Sequence, residues 1–340
     1  MSDWSRYDES DARVRPSRRG SRPRTKIRPA HEEAVDGTVI AVDRGRYTVQ
    51  VHDGEVVMAV KARELGRRGL VIGDRVKVVG DVTGEPDTLA RVVKRLERRS
   101  SLSRTADDTD PTERVIVANA DQLAIVTALA DPEPNARMID RCLVAAFDAG
   151  MTALLVLTKA DLASADELRA AYEPLGVTVI ETSVKRAGGP EADPGFARFS
   201  EELHGLTTVL VGYSGVGKST LVNALVPDAG RAVGVVNDVT GRGRHTSTSA
   251  IRYEVPTGGW IVDTPGVRSF GLAHVDPERF IHAFPDVSEA TDERCPRGCT
   301  HESAELGCEL DAWAGEDPAR RARVDSIRRL LASRAAGETY

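Results

Sequence analysis

The sequence of 340 residues predicts an α/β fold built on a parallel sheet, with a small β-barrel before it and a cysteine-rich, helix-containing region after it. Three features carry that expectation. Short β-prone runs separated by turn residues crowd between Gly37 and Arg99. Apolar runs alternate with helix-periodic stretches from about 122 to 225, and Cys295, Cys299, His301 and Cys308 cluster towards the end. The chain is long enough for two or three domains, each with its own core.

Residues 1–35 read as a basic disordered arm. Arg13, Arg15, Arg18, Arg19, Arg22, Arg24, Lys26 and Arg28 stand without an acid among them, and few apolar residues are present to offset the entropy of ordering. Such a run neutralises phosphates on nucleic acid or acts as a solubilising tail. Over 36–103 the runs Thr38–Val42, Tyr47–Val51, Val56–Val60, Arg75–Val79 and Leu89–Val93 predict a barrel of the oligonucleotide-binding (OB) type. Arg44, Arg46, Lys61, Arg67, Arg68, Lys77 and Arg91 fall among the strands and loops, and Tyr47 is the aromatic side chain offered for base stacking. RNA contact here would therefore lean on phosphates and shape; a protein-binding barrel is the alternative. The Arg-rich Lys94–Arg104 and the polar Thr105–Thr112 read as a linker.

The α/β region is expected over 104–280. Gln122–Thr127, Ala153–Leu157, Val177–Ile180 and Thr207–Val211 read as strands, and Ile139, Leu143 and Phe147 lie at helical spacing on a helix from about 136 to 149, where Cys142 has no chemistry to do. After the last of these strands comes Gly-Tyr-Ser-Gly-Val-Gly-Lys-Ser-Thr, Gly212–Thr220, and then a helix-like run from Leu221. This is a phosphate loop in its strand-loop-helix setting. Gly212, Gly215 and Gly217 let consecutive backbone N–H groups approach phosphate oxygens, Lys218 neutralises the β- and γ-phosphates, and the Ser219 hydroxyl suits Mg2+.

Loop tips at the carboxyl ends of parallel strands are where ligands bind in such sheets. Thr158-Lys159-Ala160-Asp161 stands at one tip and Glu181-Thr182-Ser183-Val184 at another. The Asp161 carboxylate can accept from both N1–H and the exocyclic amine of guanine, and Lys159 can lie along the ring. Further on, a long polar segment, Val233–Thr248, ends in Gly-Arg-Gly-Arg-His-Thr-Ser-Thr, with threonines able to complete a magnesium shell. Asp263-Thr264-Pro265-Gly266 follows a short strand, placing Asp263 on the metal side and the Gly266 N–H near a γ-phosphate.

Taken together, these motifs resemble those of the circularly permuted GTPases that act with the small ribosomal subunit. In an ordinary GTPase the phosphate loop comes first; here the base-reading Thr158–Asp161 precedes it and Asp263–Gly266 comes last. The resemblance spans all but the N-terminal arm. It implies a circularly permuted α/β P-loop GTPase domain between an OB-type barrel and a C-terminal zinc-binding domain, 281–340. It also implies GTP hydrolysis to GDP and phosphate in late small-subunit (30S) assembly, stimulated by the subunit, with rRNA held by the barrel and zinc domain. The implied nucleotide contacts are Thr158, Lys159, Asp161, Ser183, Gly212, Ser214, Gly215, Val216, Gly217, Lys218, Ser219, Thr220 and Gly266, with Mg2+ on Ser219, Thr246 and Asp263. Two positions depart from the family pattern. Thr158 stands where the family has Asn, which removes an amide tying the base loop to the phosphate loop and throws guanine selectivity onto Asp161. The Cys295–Cys299 spacing is one residue shorter.

Cys295-x3-Cys299-x-His301-x6-Cys308 supplies three thiolates and an imidazole, the set for a closed, structural tetrahedral zinc site. Val324, Ile327, Leu330 and Leu331 form an apolar stripe beside Arg320, Arg321, Arg323, Arg328, Arg329 and Arg334, which would grip RNA or form a solvated face. Because the segment after Gly266 runs into the zinc region, hydrolysis is expected to reposition that region against RNA. Val267 cannot orient a water, so turnover should be slow, with His245 joining Lys218 as a catalytic candidate. No apolar run approaches the roughly 20 residues of a membrane span, and the reading is a cytoplasmic monomer without membrane contact. A P-loop ATPase or kinase shares the phosphate loop but has no use for Asp161. A GTP-dependent RNA-binding switch with secondary turnover is the other alternative.

Overall fold

The structure is a computed structural model that describes residues 31–43, 45–51, 54–66, 69–85, 87–104, 114–227, 229, 250–264, 272, 280–291, 294–303 and 307–335. The basic arm up to residue 30, Arg44, Arg67, Arg68, the Thr105–Thr112 stretch and all of Val233–Thr248 therefore lie outside the described residues.

Alternating β-branched residues build the first unit. Strands β1 (Val35–Asp43), β2 (Arg46–Val51), β3 (Val56–Lys61), β4 (Arg75–Val79) and β5 (Ala90–Arg95) close into a barrel. Neighbours are antiparallel except for the parallel pair β3–β5, and β1 meets β4 to complete the ring. Val39, Val49, Val57, Val76, Val78 and Val92 fill its centre. Tyr47 fills it too, at 5% exposure, so the aromatic ring expected to stack on bases is core instead. The pleat decides this: Tyr47 and Val49 share the inward face of β2.

A bulge between Val39 and Ala41 bends β1. Its first half pairs with β4, while Ala41 pairs with Ile251 of a second sheet, so the two sheets are continuous. That second sheet runs β10 (Thr178–Thr182), β9 (Thr152–Thr158), β8 (Gln122–Ala128), β11 (Thr207–Val211), β13 (Trp260–Asp263) and β12 (Ile251–Glu254). The first five are parallel and β12 is antiparallel. Every residue of β8 is buried, as a strand covered on both faces requires. Leu123, Ile125, Leu155 and Val209 face helix α1 (Ala136–Asp148). Ala124, Val126, Val156 and Leu210 face α4 (Pro194–Glu202) and α5 (Lys218–Leu225). Shorter helices α2 (Asp166–Tyr172) and α3 (Val184–Ala187) follow β9 and β10. The expected α1 is capped by Asn135, whose side chain accepts from Met138 N at 2.9 Å.

The stretch read as a linker is structured where it is described. β6 (Ser101–Arg104) pairs antiparallel with β7 (Arg114–Ala118), burying Leu102 and Val117. Arg98 turns inward, its guanidinium forming a fork on the fully buried Asp74 at 2.7 and 2.9 Å, and the Arg99 backbone N–H donates to Asn119 Oδ1 at 2.8 Å while its side chain stays exposed. Asn119 in turn donates to the Gly73 carbonyl at 2.7 Å. These bonds fasten the barrel to the second sheet.

At the C-terminal end, α8 (Pro318–Ala335) packs on α1, α7 (Leu310–Ala314) packs on α8, and α6 (Pro285–Thr291) packs on α7. Val324, Ile327, Leu330 and Leu331 enter the same core as α1, as the stripe predicts. Phe147 of α1 meets Phe284 at 5.0 Å between ring centroids and Phe280 at 6.2 Å. The arginines of α8 divide: Arg320 and Arg321 are exposed, whereas Arg323, Arg328 and Arg329 are half-buried and turned onto neighbouring elements. Arg323 donates to the Pro174 carbonyl and Asp286, Arg328 forks onto Asp311, and Arg329 reaches Asp140 and the Ala171 carbonyl over the Tyr172 ring. Arg320 and Arg321 bond the Trp313 and Gly315 carbonyls. Proximity to the α7 turn and to α2 gives each guanidinium a protein acceptor; the Arg334 side chain lies outside the description.

Candidate active site

The sheet's carboxyl edge assembles the site. Between β11 and α5 the loop turns at Gly212, whose φ of +156° and whose hypothetical Cβ, 2.3 Å from the Val126 carbonyl oxygen, admit no side chain. Helix α5 begins at Lys218, so its free N–H groups face the cavity. This cavity, about 660 Å³, is lined by Thr158, Lys159, Asp161, Ser183, Gly212, Ser214, Gly215, Gly217, Lys218, Ser219, Thr220 and Asp263. The tips of four strands thus bring together residues far apart in sequence. Val216 lies beneath the loop, buried, and contributes a carbonyl rather than a wall.

Lys218 Nζ donates to Asp263 Oδ1 at 2.8 Å and reaches the Thr264 carbonyl at 3.4 Å. The Thr264 hydroxyl donates to the Leu210 carbonyl at 2.8 Å, fixing the end of β13 against β11. Lys218 and Asp263 therefore share one corner of the cavity that Ser219 also lines: a cation for phosphate oxygens, beside a hard oxygen donor suited to magnesium. His245, Thr246, Gly266 and Val267 lie outside the described residues.

At the other end, Thr158 corrects the expectation that losing the family Asn unties the two loops. Its hydroxyl donates to the Val216 carbonyl of the phosphate loop, so the tie persists in another chemical form. Lys159 adopts a left-handed φ of +54° and its ammonium bonds the Asp131 carbonyl, leaving its stem on the cavity wall. Sequence reasoning missed Asp193, a buried carboxylate that accepts from the Thr182 hydroxyl and from Ser183 N at 2.8 Å while capping α4 through Gly195 N at 2.9 Å. Its signal was there: Asp-Pro-Gly reads as an N-cap with proline at the first helical position. Leu162, Lys185 and Arg186 also line the cavity without belonging to any recognised motif.

The RsgA GTPase family model matches residues 95–273. Among curated relatives, the small ribosomal subunit biogenesis GTPase RsgA of Pseudomonas putida is 36% identical over 305 residues, covering 87% of this chain and 85% of that protein. Its namesake in Azotobacter vinelandii is 37% identical over 306 residues, with 88% and 85% covered. The chain belongs to the RsgA GTPase family. It is, accordingly, a GTP-hydrolysing enzyme. Solved structures agree on the fold. YjeQ from Thermotoga maritima superposes with a TM-score of 0.60 at 25% identity, covering 88% of this chain and 99% of its own. YloQ, a circularly permuted GTPase, gives 0.59 at 23%, covering 89% and 96%.

This RsgA-family chain carries a second centre. Sγ of Cys295, Cys299 and Cys308 lie 3.8, 3.7 and 3.6 Å from His301 Nδ1, and the four ligand atoms fall within 4.8 Å of one another. Ligands at about 2.3 Å (sulfur) and about 2.0 Å (nitrogen) from a tetrahedral zinc would be separated by about 3.6 Å, so the cluster fits. Glu309 N donates to Cys295 Sγ at 3.3 Å, a bond suited to a thiolate. The shortened spacing between Cys295 and Cys299 is accommodated by a turn in which Cys299 N donates to the Pro296 carbonyl. Cys142 stands apart in α1; burial pushes its thiol up to about 12, an inert group as expected.

Proposed function

We propose that this enzyme couples GTP hydrolysis to late assembly of the small ribosomal subunit, which stimulates its turnover. The observation that carries the reading is the convergence, on one cavity, of Asp161, Lys218 and Asp263 in a chain that aligns with most of the length of proteins named for small-subunit biogenesis. Asp161 reads guanine, the loop Gly212–Thr220 cradles the phosphates, and Lys218 shifts from Asp263 to the β- and γ-phosphates. Ser219, Thr246 and Asp263 would hold Mg2+, which when bound neutralises charge on the phosphates. His245 positions water in place of the apolar Val267, and the Gly266 N–H meets the γ-phosphate. The barrel and the Cys3His region, closed around a structural zinc, contact rRNA. The enzyme acts as a monomer in the cytoplasm; no helix among the described residues is long and apolar enough to cross a membrane.

The test is GTP turnover by purified protein with and without small subunits, with large subunits and ATP as controls. Selective stimulation by the small subunit is expected. Equal rates in all arms would sink the coupling, and unchanged stimulated turnover in His245→Ala would remove that residue from the mechanism.

A further inference from the structure

Thr158 ends β9 buried, at 6% exposure, with two acceptors around its hydroxyl: the Val216 carbonyl and, at 3.3 Å, the Thr127 carbonyl. A threonine hydroxyl has one proton to give, and both neighbours can only receive it, so that proton stays inside the protein. Gly217 of the phosphate loop lies alongside. A Cβ at that glycine would lie 3.4 Å from Thr158 Oγ1 and Cγ2, ordinary van der Waals contact between the two loops. An amide at position 158 would have two N–H groups, one for Val216 and one to spare for a ring nitrogen of the base. Threonine has none to spare.

Resting on the GTP-binding reading above, we propose that Thr158 is a positioning residue that locks the base-reading loop onto the phosphate loop and leaves N7 of guanine unread. The base is then selected at its N1–H and 2-amino edge, through the Asp161 carboxylate. The site's ligand class widens accordingly to guanine nucleotides altered in the five-membered ring.

Equilibrium binding of GDP, 7-deaza-GDP and IDP to the full-length protein and to Thr158→Asn, Thr158→Val and Thr158→Ser tests this without turnover. For the natural chain, 7-deaza-GDP should bind within about twofold of GDP. IDP, lacking the 2-amino group, should bind about tenfold more weakly, the worth of a hydrogen bond to a charged group. Thr158→Asn should create a preference for GDP over 7-deaza-GDP of about fivefold, the scale of one neutral hydrogen bond. Thr158→Val should weaken both nucleotides equally, and Thr158→Ser should restore them. A fivefold loss on 7-deaza-GDP in the natural chain would overturn the proposal, as would unchanged binding in a folded Thr158→Val. Failure of the underlying reading looks different: none of the three nucleotides would bind the natural chain.

Discussion

Asp140 shows how little a residue's type says about its setting. It sits in the first turns of α1 at 4% exposure, facing Arg329 and Tyr172, and burial outweighs the arginine and holds its carboxyl above the usual carboxylate range. An acid whose folded value is raised stabilises fully below its unfolded value, near about 4, and loses that contribution as pH rises through the folded value. At neutral pH the charge therefore costs stability. Asp140→Asn should raise Tm at pH 7, with the gain shrinking towards pH 4; Arg329 keeps its Ala171 carbonyl and Tyr172 ring as partners. A lower Tm at pH 7 would mean that the pair with Arg329 outweighs the burial. Residues whose chemistry is written in contiguous sequence were legible: Gly212–Thr220, Asp161, Asp263 and the Cys3His set all fall where their motifs place them. Tyr47 and the α8 arginines were not, because burial and pairing are set by elements that only the fold brings near. Thr158 was misread for a related reason, since a hydroxyl can replace an amide only if the acceptor lies at the right distance.

Among elements, the long apolar strands and the α1 stripe were readable from periodicity, whereas β6, β7 and β12 were not. Those three are short, and two of them begin or end at polar segments that read as loop. Helix α8 was legible on its apolar face alone. Its charged face is the more informative half: Arg323 and Arg329 fix the helix to the α/β region through the Pro174 and Ala171 carbonyls, while within the Cys3His region Arg328 forks onto Asp311, which is held below the usual carboxylate range by that guanidinium. Since Asp311 is half exposed, Arg328→Ala should cost about 1 kcal/mol of stability and leave RNA affinity unchanged, measurable by denaturant melts and filter binding. Weakened RNA binding without a stability change would return α8 to the role of an RNA grip. Chelation should reach further. Cys299 and Cys308 lie in the same core as Phe280, Val324 and Leu330, so stripping the metal should lower the Tm of the whole 33–340 unit and not merely loosen the tail. A calorimetric trace with an unmoved main transition would show the region to be energetically separate. The shared core also argues that any rearrangement on hydrolysis is local, because displacing the Cys3His region as a body would part Phe147 from Phe280 and Phe284.

For the molecule as a whole, the joint between barrel and sheet decides most. Three observations fix it: the Ala41–Ile251 pairing, the Asp74–Arg98 fork and the Asn119 bonds to Gly73 and Arg99. Arg98→Ala strands a carboxylate at 0% exposure and should cost about 3 kcal/mol, lowering Tm while GTP affinity measured well below the melt stays the same. On the proposed function, that variant should also lose part of its small-subunit stimulation; full stimulation despite a lowered Tm would show that the joint serves folding alone. Order of elements, barrel topology and permutation were visible in the sequence. The joint was hidden in an arginine-rich stretch that composition alone assigns to solvent.

If the barrel and the Cys3His region contact rRNA as proposed, a barrel sewn into the nucleotide-binding sheet has a consequence for how such an enzyme judges its substrate. Two recognition surfaces held at a constant separation behave as a calliper: simultaneous engagement multiplies affinity only where the target presents its two sites at that spacing. A flexible tether would forgive misplaced RNA helices, whereas a stiff joint would not. The tolerance of the inspection would then reside in the protein's own hydrogen bonds, and the GTP consumed would report on the geometry of the particle rather than on its composition.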